Sequence, residues 1–470
     1  MTLVPRRLEK GHWRCQPQLA AQMKKGGRPH PGWHSGHHTP HPARKLNEFV
    51  PRTGLPGHPA TASLASRPVR PHAQPASSPL ATAAQASFLL LVAVLPLSVA
   101  PMSIATGVCA ALSLAWVVTR GGPAWPRTPV EWPMIAWLLA LLLASLTSEQ
   151  RGASLLHVKK GFFPLLVPLA ALHAPDARRG RRALAVLLVS SAAAALYGLA
   201  VFIAEGASFA SRASGVVGHY MTFAGQLMLP IVVAASIAWL VRDRRWRLLA
   251  SACGLAGLAA LAATFTRSSW IGLLAALLVV VAATRPRWVP FVLALPALAL
   301  MAAPPEYRAR ALSAFDPHHP WNRERTYMWE AGVRMFRDHP LTGVGLQDLR
   351  PIYERYRSPL AHEPAGHLHN IYIHTAATMG LVGLAAFVWL VASLFRCTTR
   401  GLRLRPPAPD VATALRLGMT AALVGFLVAG LFEWNFGDEE LLYMLYTLIG
   451  LAWAARNWSE PGPAPASAAP

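Results

Sequence analysis

The chain has 470 residues, of which 53% are hydrophobic and only 14% are charged. Soluble domains carry about 25% charged residues, so the composition excludes an ordinary soluble domain and predicts a membrane protein with many spans. The net charge of +23 would indicate nucleic acid binding in a soluble protein. Here the basic residues lie in a tail and in short loops between apolar segments, so topology explains them and we expect no nucleic-acid partner.

Both ends of the chain have the composition of disordered tails. Residues 1–85 are rich in Pro, His, Arg, Gly and Ser and show no apolar periodicity. Such a segment buries too little surface to offset the entropy of ordering it. A second disordered tail is predicted for residues 457–470. The four cysteines suggest neither a disulfide nor a zinc site.

Between the tails, apolar segments predict an all-α, polytopic integral membrane protein with about twelve transmembrane helices. Nine helices are expected in residues 86–303 and three in residues 369–456, separated by a long polar loop, residues 304–368. The twelve segments cover residues 86–100, 102–118, 132–147, 160–174, 183–203, 219–241, 248–265, 268–283, 289–303, 369–395, 411–432 and 440–455.

Clusters of basic residues predict the orientation of these helices. The clusters are Arg178–Arg182, Arg242–Arg247, Arg285–Arg287 and Arg396–Arg405, and they alternate with loops poor in Lys and Arg. Basic residues are retained on the cytoplasmic side. We therefore expect both tails in the cytoplasm and the long loop on the outer side of the membrane.

The long outer loop is predicted to be helical. Residues 323–336 have the periodicity of an amphipathic helix, which Pro340 prevents from continuing. Its apolar side is expected to consist of Tyr327, Met328, Ala331 and Met335, with Trp329 beside them. Residues 343–345, Gly-Val-Gly, are interpreted as a flexible turn before a second short helix at residues 347–357. Together these elements predict a helical cap over a membrane-facing cavity.

Three chemically suited residues fall on the outer face in this topology. Arg212 follows the fifth apolar segment, Arg267 lies between the seventh and eighth, and His369 begins the tenth. Imidazole can take up a proton near neutral pH, and guanidinium groups bind phosphate oxygens while keeping their charge. Lys159 and Lys160 are expected on the same face.

The order of five motifs resembles the O-antigen ligase/polymerase superfamily over roughly residues 86–455. The motifs are Arg212–Gly225, Thr266–Gly272, Asp338–Gly345, His369-Asn370-Ile-Tyr-Ile and Met379–Gly383. The resemblance implies a metal-independent, inverting glycosyltransferase without a cofactor, in the bacterial inner membrane, with its active site facing the periplasm. It also implies transfer of a glycan from an undecaprenyl-diphosphate carrier to lipid A-core or another glycan acceptor.

Roles for individual residues follow from the resemblance and from their positions. His369 matches the essential histidine of the superfamily, and Arg212 and Arg267 match arginines that hold the diphosphate. The expected catalytic set is therefore His369, Arg212 and Arg267. Candidates for substrate binding are Asn370, Lys159, Lys160, Arg323 and Arg325. The expected partners are the carrier-linked glycan, its acceptor and membrane lipid.

Structural explanations compete with these roles. Arg267 could anchor a helix at the lipid headgroups, Arg212 could be a solvated loop residue, and His369 could cap or pack a helix. The lysines could be ordinary interface residues, and Arg323 and Arg325 a solvated helix face.

Other functions also compete. They are a polymerase of lipid-linked polysaccharide repeat units, a protein O-oligosaccharyltransferase, and a non-enzymatic polysaccharide or lipid transporter. A transporter predicts charges near the membrane midplane and internal repeats, whereas the charges here gather at the outer edge.

Overall fold

A computed structural model describes residues 78–119, 122–404 and 409–458. All of them belong to the second of two units into which the chain divides, Ala73–Pro470. Every regular element in the described residues is helical, as predicted. The α-helices are α1 (Pro79–Val94), α2 (Val99–Val118), α3 (Glu131–Thr147), α4 (Arg151–Leu155), α5 (Leu166–His173), α6 (Ala177–Ala204), α7 (Tyr220–Leu240), α8 (Arg244–Ala263), α9 (Arg267–Thr284), α10 (Val289–Ala302), α11 (Pro305–Leu312), α12 (Pro320–Asp338), α13 (Arg350–Tyr356), α14 (Ile371–Thr399), α15 (Val411–Ala429) and α16 (Glu439–Ala454).

Each of the twelve predicted apolar segments coincides with one or more of these helices, and the protein is a polytopic membrane protein. Eight helical segments in the described ranges are long and apolar enough to cross a bilayer. They are Val99–Val118, Arg151–His173, Ala177–Ala204, Tyr220–Leu240, Arg244–Ala263, Arg267–Thr284, Ile371–Thr399 and Val411–Ala429. Three further apolar helices are shorter, so twelve spans remains a prediction.

The first helix begins at Pro79 rather than near residue 86. Ser78 precedes it and accepts a hydrogen bond from the backbone N–H of Ala81 at 3.1 Å, and proline suits the first turn of a helix. These local signals start the helix inside the segment predicted as a tail. The rest of the predicted N-terminal tail, and residues 459–470, lie outside the described residues.

The helices end in two groups, which we call the basic end and the site end. The basic end holds the chain near residues 174–177, 240–244, 284–289, 399–404, 409–411 and 454–458. Contacts there include a hydrogen bond from Trp458 Nε1 to the Ala174 carbonyl at 2.9 Å and one from Arg416 to the Arg400 carbonyl at 2.6 Å. Three of the four basic clusters seen in the sequence, Arg178–Arg182, Arg242–Arg247 and Arg285–Arg287, border this end. The described part of the fourth cluster begins at Arg396, in the last turn of α14.

The site end gathers the opposite helix termini. It holds the chain near residues 147–160, 204–220, 263–267, 303–371 and 429–439. The backbone N–H of Ala213 bonds to the Ala263 carbonyl at 3.0 Å, and Lys160 Nζ donates to the Gly437 carbonyl at 2.7 Å. Segments far apart in the sequence are therefore joined at this end.

Glycines allow helices α9 and α15 to cross closely at the centre of the fold. A Cβ atom at Gly272 would lie 2.6 Å from the Gly425 carbonyl oxygen, and a Cβ at Gly425 would lie 2.5 Å from the Gly272 carbonyl oxygen. Small residues at such crossings let backbones approach and gain packing contacts where lipid removes the hydrophobic driving force.

The predicted helical loop is present at the site end. Helix α12 contains the predicted segment 323–336 and buries Met328, Ala331 and Met335 on one side. These side chains form a small hydrophobic core with Tyr353 of α13. Helix α13 is shorter than the helix predicted at residues 347–357. Helix α11 was not predicted. Its proline-rich start follows the apolar α10 directly, which hides the boundary in the sequence.

The Gly343–Gly345 segment is not a flexible turn, contrary to the sequence-based interpretation. The N–H groups of Val344 and Gly345 bond to the carbonyls of Ala377 and Thr378 at 2.9 and 3.0 Å. Those carbonyls are free because helix α14 breaks at Gly380, which has a φ of 61°. The segment thus replaces the hydrogen bonds that the break removes, and it fixes the loop to α14.

Candidate functional site

The start of α14 turns His369 out of the helix. Asn370 caps the helix, since its side chain accepts hydrogen bonds from the N–H groups of Tyr372 and Ile373, both at 2.9 Å. His369, just before it, has a φ of 45°, in a left-handed region that non-glycine residues seldom occupy. The histidine is therefore held in a defined orientation at the site end.

The chain after α15 is fastened to this turn. The N–H of Ile371 donates to the Gly430 carbonyl at 2.7 Å, and Asn370 Nδ2 donates to the Leu431 carbonyl at 2.9 Å. A Cβ atom at Gly430 would lie 2.2 Å from Ile371 Cδ1, so a side chain there would force Ile371 to move. The two bonds bring Glu433 against His369.

Glu433 is a buried carboxylate surrounded by basic groups. Its Oε1 lies 2.9 Å from His369 Nδ1 and 3.5 Å from His367 Nε2, and its Oε2 lies 3.4 Å from Arg325 Nη2. Burial alone would raise the pKa of Glu433. Hydrogen bonds from His367 and His369, with the nearby charge of Arg325, instead hold that pKa well below its usual range. Glu433 is therefore ionised at neutral pH.

The charge on Glu433 fixes the proton on the His369 ring. An ionised carboxylate only accepts hydrogen bonds, so His369 Nδ1 carries the hydrogen and donates it to Glu433. In the neutral ring, Nε2 then has a free lone pair and can accept a proton from a bound hydroxyl. Pairs of this kind orient histidine for general base catalysis in hydrolases.

Sequence reasoning missed Glu433, although a signal was present. Acidic residues are scarce in this chain, and Glu433 directly follows the eleventh predicted apolar segment. Its partner in space, His369, lies 64 positions earlier, and no spacing rule joins the two.

The predicted arginines form a second part of the site. Arg267, at the start of α9, donates to Ser313 Oγ at 2.9 Å and to Asn322 Oδ1 at 2.8 Å. Arg212 donates from Nε to the Phe209 carbonyl at 3.2 Å and lies 3.6 Å above the Phe209 ring. Both guanidinium groups are thus held by neutral partners.

Arg310 joins these two arginines and was not predicted. Burial, followed by repulsion from Arg267 and Arg212, lowers the pKa of Arg310 to about 10. Burial also lowers the pKa of Arg212. In the part of the chain that the structure describes, none of the three forms an ion pair with a carboxylate. Partly buried cations without counter-charges are unfavourable, and such a cluster favours the binding of an anion.

Of the other predicted binding residues, Arg325 and Lys160 lie at or near the site, whereas Lys159 is largely exposed. Arg325 is in the site, because it bonds to Glu433 and to the Phe432 carbonyl. Lys160 reaches the site end through Gly437. Lys159, whose side chain is 72% exposed, lies 3.6 Å from Glu439.

Two predicted binding residues have other contacts. Arg323 is exposed and bonds to the Tyr327 hydroxyl on its own helix at 3.1 Å, so the fold does not bring it to Glu433 or to the arginine cluster. Asn370 is in place, and its side chain caps α14 and holds the chain after α15. It fixes the turn that carries His369.

A cavity of about 610 Å³ opens beside His367. Its walls combine polar and aromatic side chains, among them Lys160, Gln347, Asp348, Trp434 and Asp438. Aromatic faces with hydrogen-bonding groups between them suit the apolar and hydroxyl-bearing sides of sugars. The cavity therefore has room and chemistry for a glycan next to the His369–Glu433 pair.

Three side chains of the site could in principle ligate a metal ion. The nearest ligand atoms of His367, His369 and Glu433 lie within 4.8 Å of one another. However, Arg325 already pairs with Glu433, and the uncompensated arginines make the surroundings positive. This field opposes a divalent cation and favours an anion.

The fold and site together define a polytopic membrane protein with an arginine cluster and a histidine–glutamate pair at one end of its helices. Residues 252–388 match the family model described as O-antigen ligase. The chain thus carries an O-antigen ligase family domain, of a family of membrane glycosyltransferases. The matched range includes Arg267, Arg310, Arg325 and His369, whereas Arg212 and Glu433 lie outside it. No curated protein matches the sequence.

Proposed function

We propose that this protein is an inverting glycosyltransferase that uses an undecaprenyl-diphosphate-linked glycan as donor and the lipid A-core as acceptor. The reaction would take place at the periplasmic face of the bacterial inner membrane. The observation that carries the proposal is the combination of the His369–Glu433 pair with arginines that have no carboxylate partner among the described residues.

The proposed reaction is a single displacement. The acceptor hydroxyl gives its proton to His369 Nε2 and its oxygen bonds to the anomeric carbon of the donor sugar. The bond from that carbon to the diphosphate oxygen breaks, and the lipid diphosphate leaves with the electron pair. Attack opposite the leaving group inverts the anomeric centre.

The charges at the site support this division of labour. Glu433 would stabilise the imidazolium that forms when His369 takes the proton, as a carboxylate does in other histidine-based sites. Arg212 and Arg267 would stabilise the charge that develops on the diphosphate, and fixed donors of this kind contribute several kcal/mol. Glycoside hydrolases need a pair of carboxyl groups; here the leaving group is already an acidic diphosphate.

The test is complementation of a strain that lacks the gene. Wild type should restore core-attached surface polysaccharide, whereas His369→Ala should leave carrier-linked polymer and lower ligation at least about 100-fold. His318→Ala, an exposed histidine of the same loop, is the matched control and should complement fully.

Gel analysis of the polysaccharide from these strains also separates the competing functions. Surface polysaccharide arrested at single repeats in the deletion strain would indicate a polymerase, and loss of a glycosylated protein would indicate protein glycosylation. Full complementation by His369→Ala, Arg212→Ala and Arg267→Ala at normal expression would refute the mechanism.

A further inference from the structure

An apolar groove of about 460 Å³ runs between α8, α9, α10 and α11. Its floor is α9, with Leu274 and Leu277, and its walls carry Leu258, Leu295 and Ala299. Helix α10 forms one wall and buries none of its own residues, so it encloses the groove rather than adding to the core. The lining is aliphatic along most of its length and suits a hydrocarbon chain.

The end of the groove that is nearest to the site end of the helices lies beside the arginine cluster. Tyr307 lines the groove, and its ring stacks on Phe265 with centroids 4.2 Å apart. Arg310 donates from Nε to the Phe265 carbonyl at 3.3 Å. Trp270 also lines the groove, one turn along α9 from Arg267. A chain that fills the groove therefore ends within reach of two arginines.

Arg310 is suited to bind the same anion as Arg212 and Arg267. Its guanidinium lies 5.1 Å from the centroid of the Phe209 ring, and the Arg212 guanidinium lies 3.6 Å from it. The two groups repel each other, and Arg267 adds to the repulsion. An anion with at least two charges would relieve this repulsion, and arginine forks match phosphate oxygens.

A second apolar cavity, of about 590 Å³, provides a contrast. It is lined by Ala110, Leu114 and Phe162 and reaches Lys159 and Glu439. There the cation has a carboxylate partner at 3.6 Å. The unbalanced positive charge thus lies at the end of the α9–α10 groove and not at the end of this cavity.

We propose that the α9–α10 groove holds the polyprenyl tail of a lipid diphosphate and that Arg310 is a third arginine that binds its diphosphate. The inference rests on the proposed function, because it assigns the donor of that reaction to one groove. It adds a tail site and a phosphate ligand that the sequence did not indicate.

Photolabelling of the purified full-length protein tests the groove directly. The probe is farnesyl diphosphate with a diazirine at the end of its tail. We expect labelled peptides from α9 and α10, with labelling suppressed by excess farnesyl diphosphate but not by phosphatidylglycerol. Labelling around Phe162 and Ala110 would overturn the assignment, and so would equal competition by phosphatidylglycerol, which would indicate a general lipid site.

Matched variants separate the tail from the head group. Ala299→Trp fills the groove without touching the arginines, and it should weaken binding of farnesyl diphosphate at least tenfold. Its affinity for inorganic diphosphate should stay unchanged, which also shows that the variant is folded. Ala110→Trp fills the other cavity and should bind both probes as wild type does. Unchanged farnesyl diphosphate binding by Ala299→Trp would refute the tail site.

Arg310 has a control on its own helix. Arg310→Gln should weaken binding of both farnesyl diphosphate and inorganic diphosphate at least tenfold, with partial recovery in Arg310→Lys. Arg308→Gln removes an exposed arginine of α11 and should change neither affinity. Equal effects of the two glutamine variants would show that general charge, and not a specific contact, is responsible.

Probe binding tests the groove assignment, whereas glycan transfer tests the proposed function. If Ala299→Trp binds and transfers normally while His369→Ala is inactive, the groove assignment fails and the proposed function stands. If the probe labels α9 and α10 but wild type transfers no glycan in the complemented strain, the groove assignment stands and the proposed function fails.

Discussion

At the scale of single residues, the site depends on how Glu433 acts on His369. A carboxylate at hydrogen-bond distance selects the ring tautomer and stabilises the imidazolium. Replacing it with an amide keeps the size of the side chain but removes the charge. In the proposed reaction Glu433 would affect the rate through His369, and we regard it as a positioning residue.

We predict that Glu433→Gln lowers glycan transfer at least about 100-fold, because His369 loses its orientation and its counter-charge. Glu433→Asp should restore part of the rate and also shift its pH dependence, which a purely structural defect would not do. Initial rates over a pH series measure both effects. Glu306→Gln, on the exposed side of α11, should behave as wild type, and a Glu433→Gln enzyme with normal rates would contradict the proposal.

Asp438 makes a second residue-scale prediction, which concerns stability. Burial, and then the charge of Glu433, raise its pKa to about 7, while the Thr222 hydroxyl donates to Oδ2 at 3.1 Å. In the unfolded chain Asp438 ionises near 3.8. Between about pH 4 and 7 the folded protein therefore holds a proton that the unfolded chain has lost, and the free energy of unfolding falls as pH rises.

Asp438→Asn removes this dependence while keeping an oxygen for Thr222. Below about pH 4 the variant and wild type should unfold at similar temperatures. Above about pH 7 the variant should be more stable, by on the order of a few kcal/mol. Thermal unfolding in detergent over a pH series measures the difference. Asp316→Asn, in an exposed loop, should retain the wild-type pH dependence; a parallel shift of Asp438→Asn at every pH would contradict the prediction.

At the scale of elements, the break in α14 and the Gly343–Gly345 segment form one unit. The segment supplies hydrogen bonds to carbonyls that the break leaves free, and the N–H of Leu381 bonds back to the Pro340 carbonyl at 2.8 Å. A Cβ atom at Gly380 would lie 2.3 Å from the backbone carbon of Leu341. This unit holds the loop against the helix that begins at His369.

We predict that Gly380→Ala destabilises the protein by more than about 2 kcal/mol, since it combines a left-handed φ with a backbone clash. Gly107→Ala is the matched control, because a Cβ atom there would meet no atom within 4 Å. Thermal unfolding of both variants gives the comparison. Equal stability of Gly380→Ala and wild type would mean that the break is not fixed by this contact.

At the scale of the whole molecule, the two ends of the helices differ in charge and in the side chains that they carry. Basic clusters border one end, while the histidines, Glu433 and the arginine cluster lie at the other. Basic residues near spans are retained in the cytoplasm, so we predict that the site end faces outward. Leu360, 60% exposed in the loop, and Arg245 at the basic end suit a test of this orientation.

The orientation is measured with single cysteines in a background where Cys15 and Cys253 are serine. Cys109 and Cys397 are buried and should not react. Leu360→Cys should be labelled by an impermeant maleimide added outside the inner membrane, whereas Arg245→Cys should be labelled only after lysis. The reverse pattern would place the site in the cytoplasm and rule out periplasmic transfer.

The sequence by itself determined which segments are apolar helices and where the long helical loop lies, because these follow from local composition and periodicity. It also supplied His369, Arg212 and Arg267, through motifs that each occupy a short stretch of chain, and Arg325, as a candidate on the predicted helix of the long loop. The helix boundaries near Pro79 and Pro305 were less accessible, since capping and proline signals there compete with the apolar pattern.

Only the tertiary structure decided how these residues work together. Glu433 reaches His369 because the chain after α15 is bonded to the start of α14, and Arg310 joins Arg212 and Arg267 because α11 folds back onto α9. Gly343–Gly345 is rigid because its partners are the carbonyls of a distant helix break. In each case the interaction joins groups that are far apart in the chain, so its energy depends on packing and leaves no local pattern in the sequence.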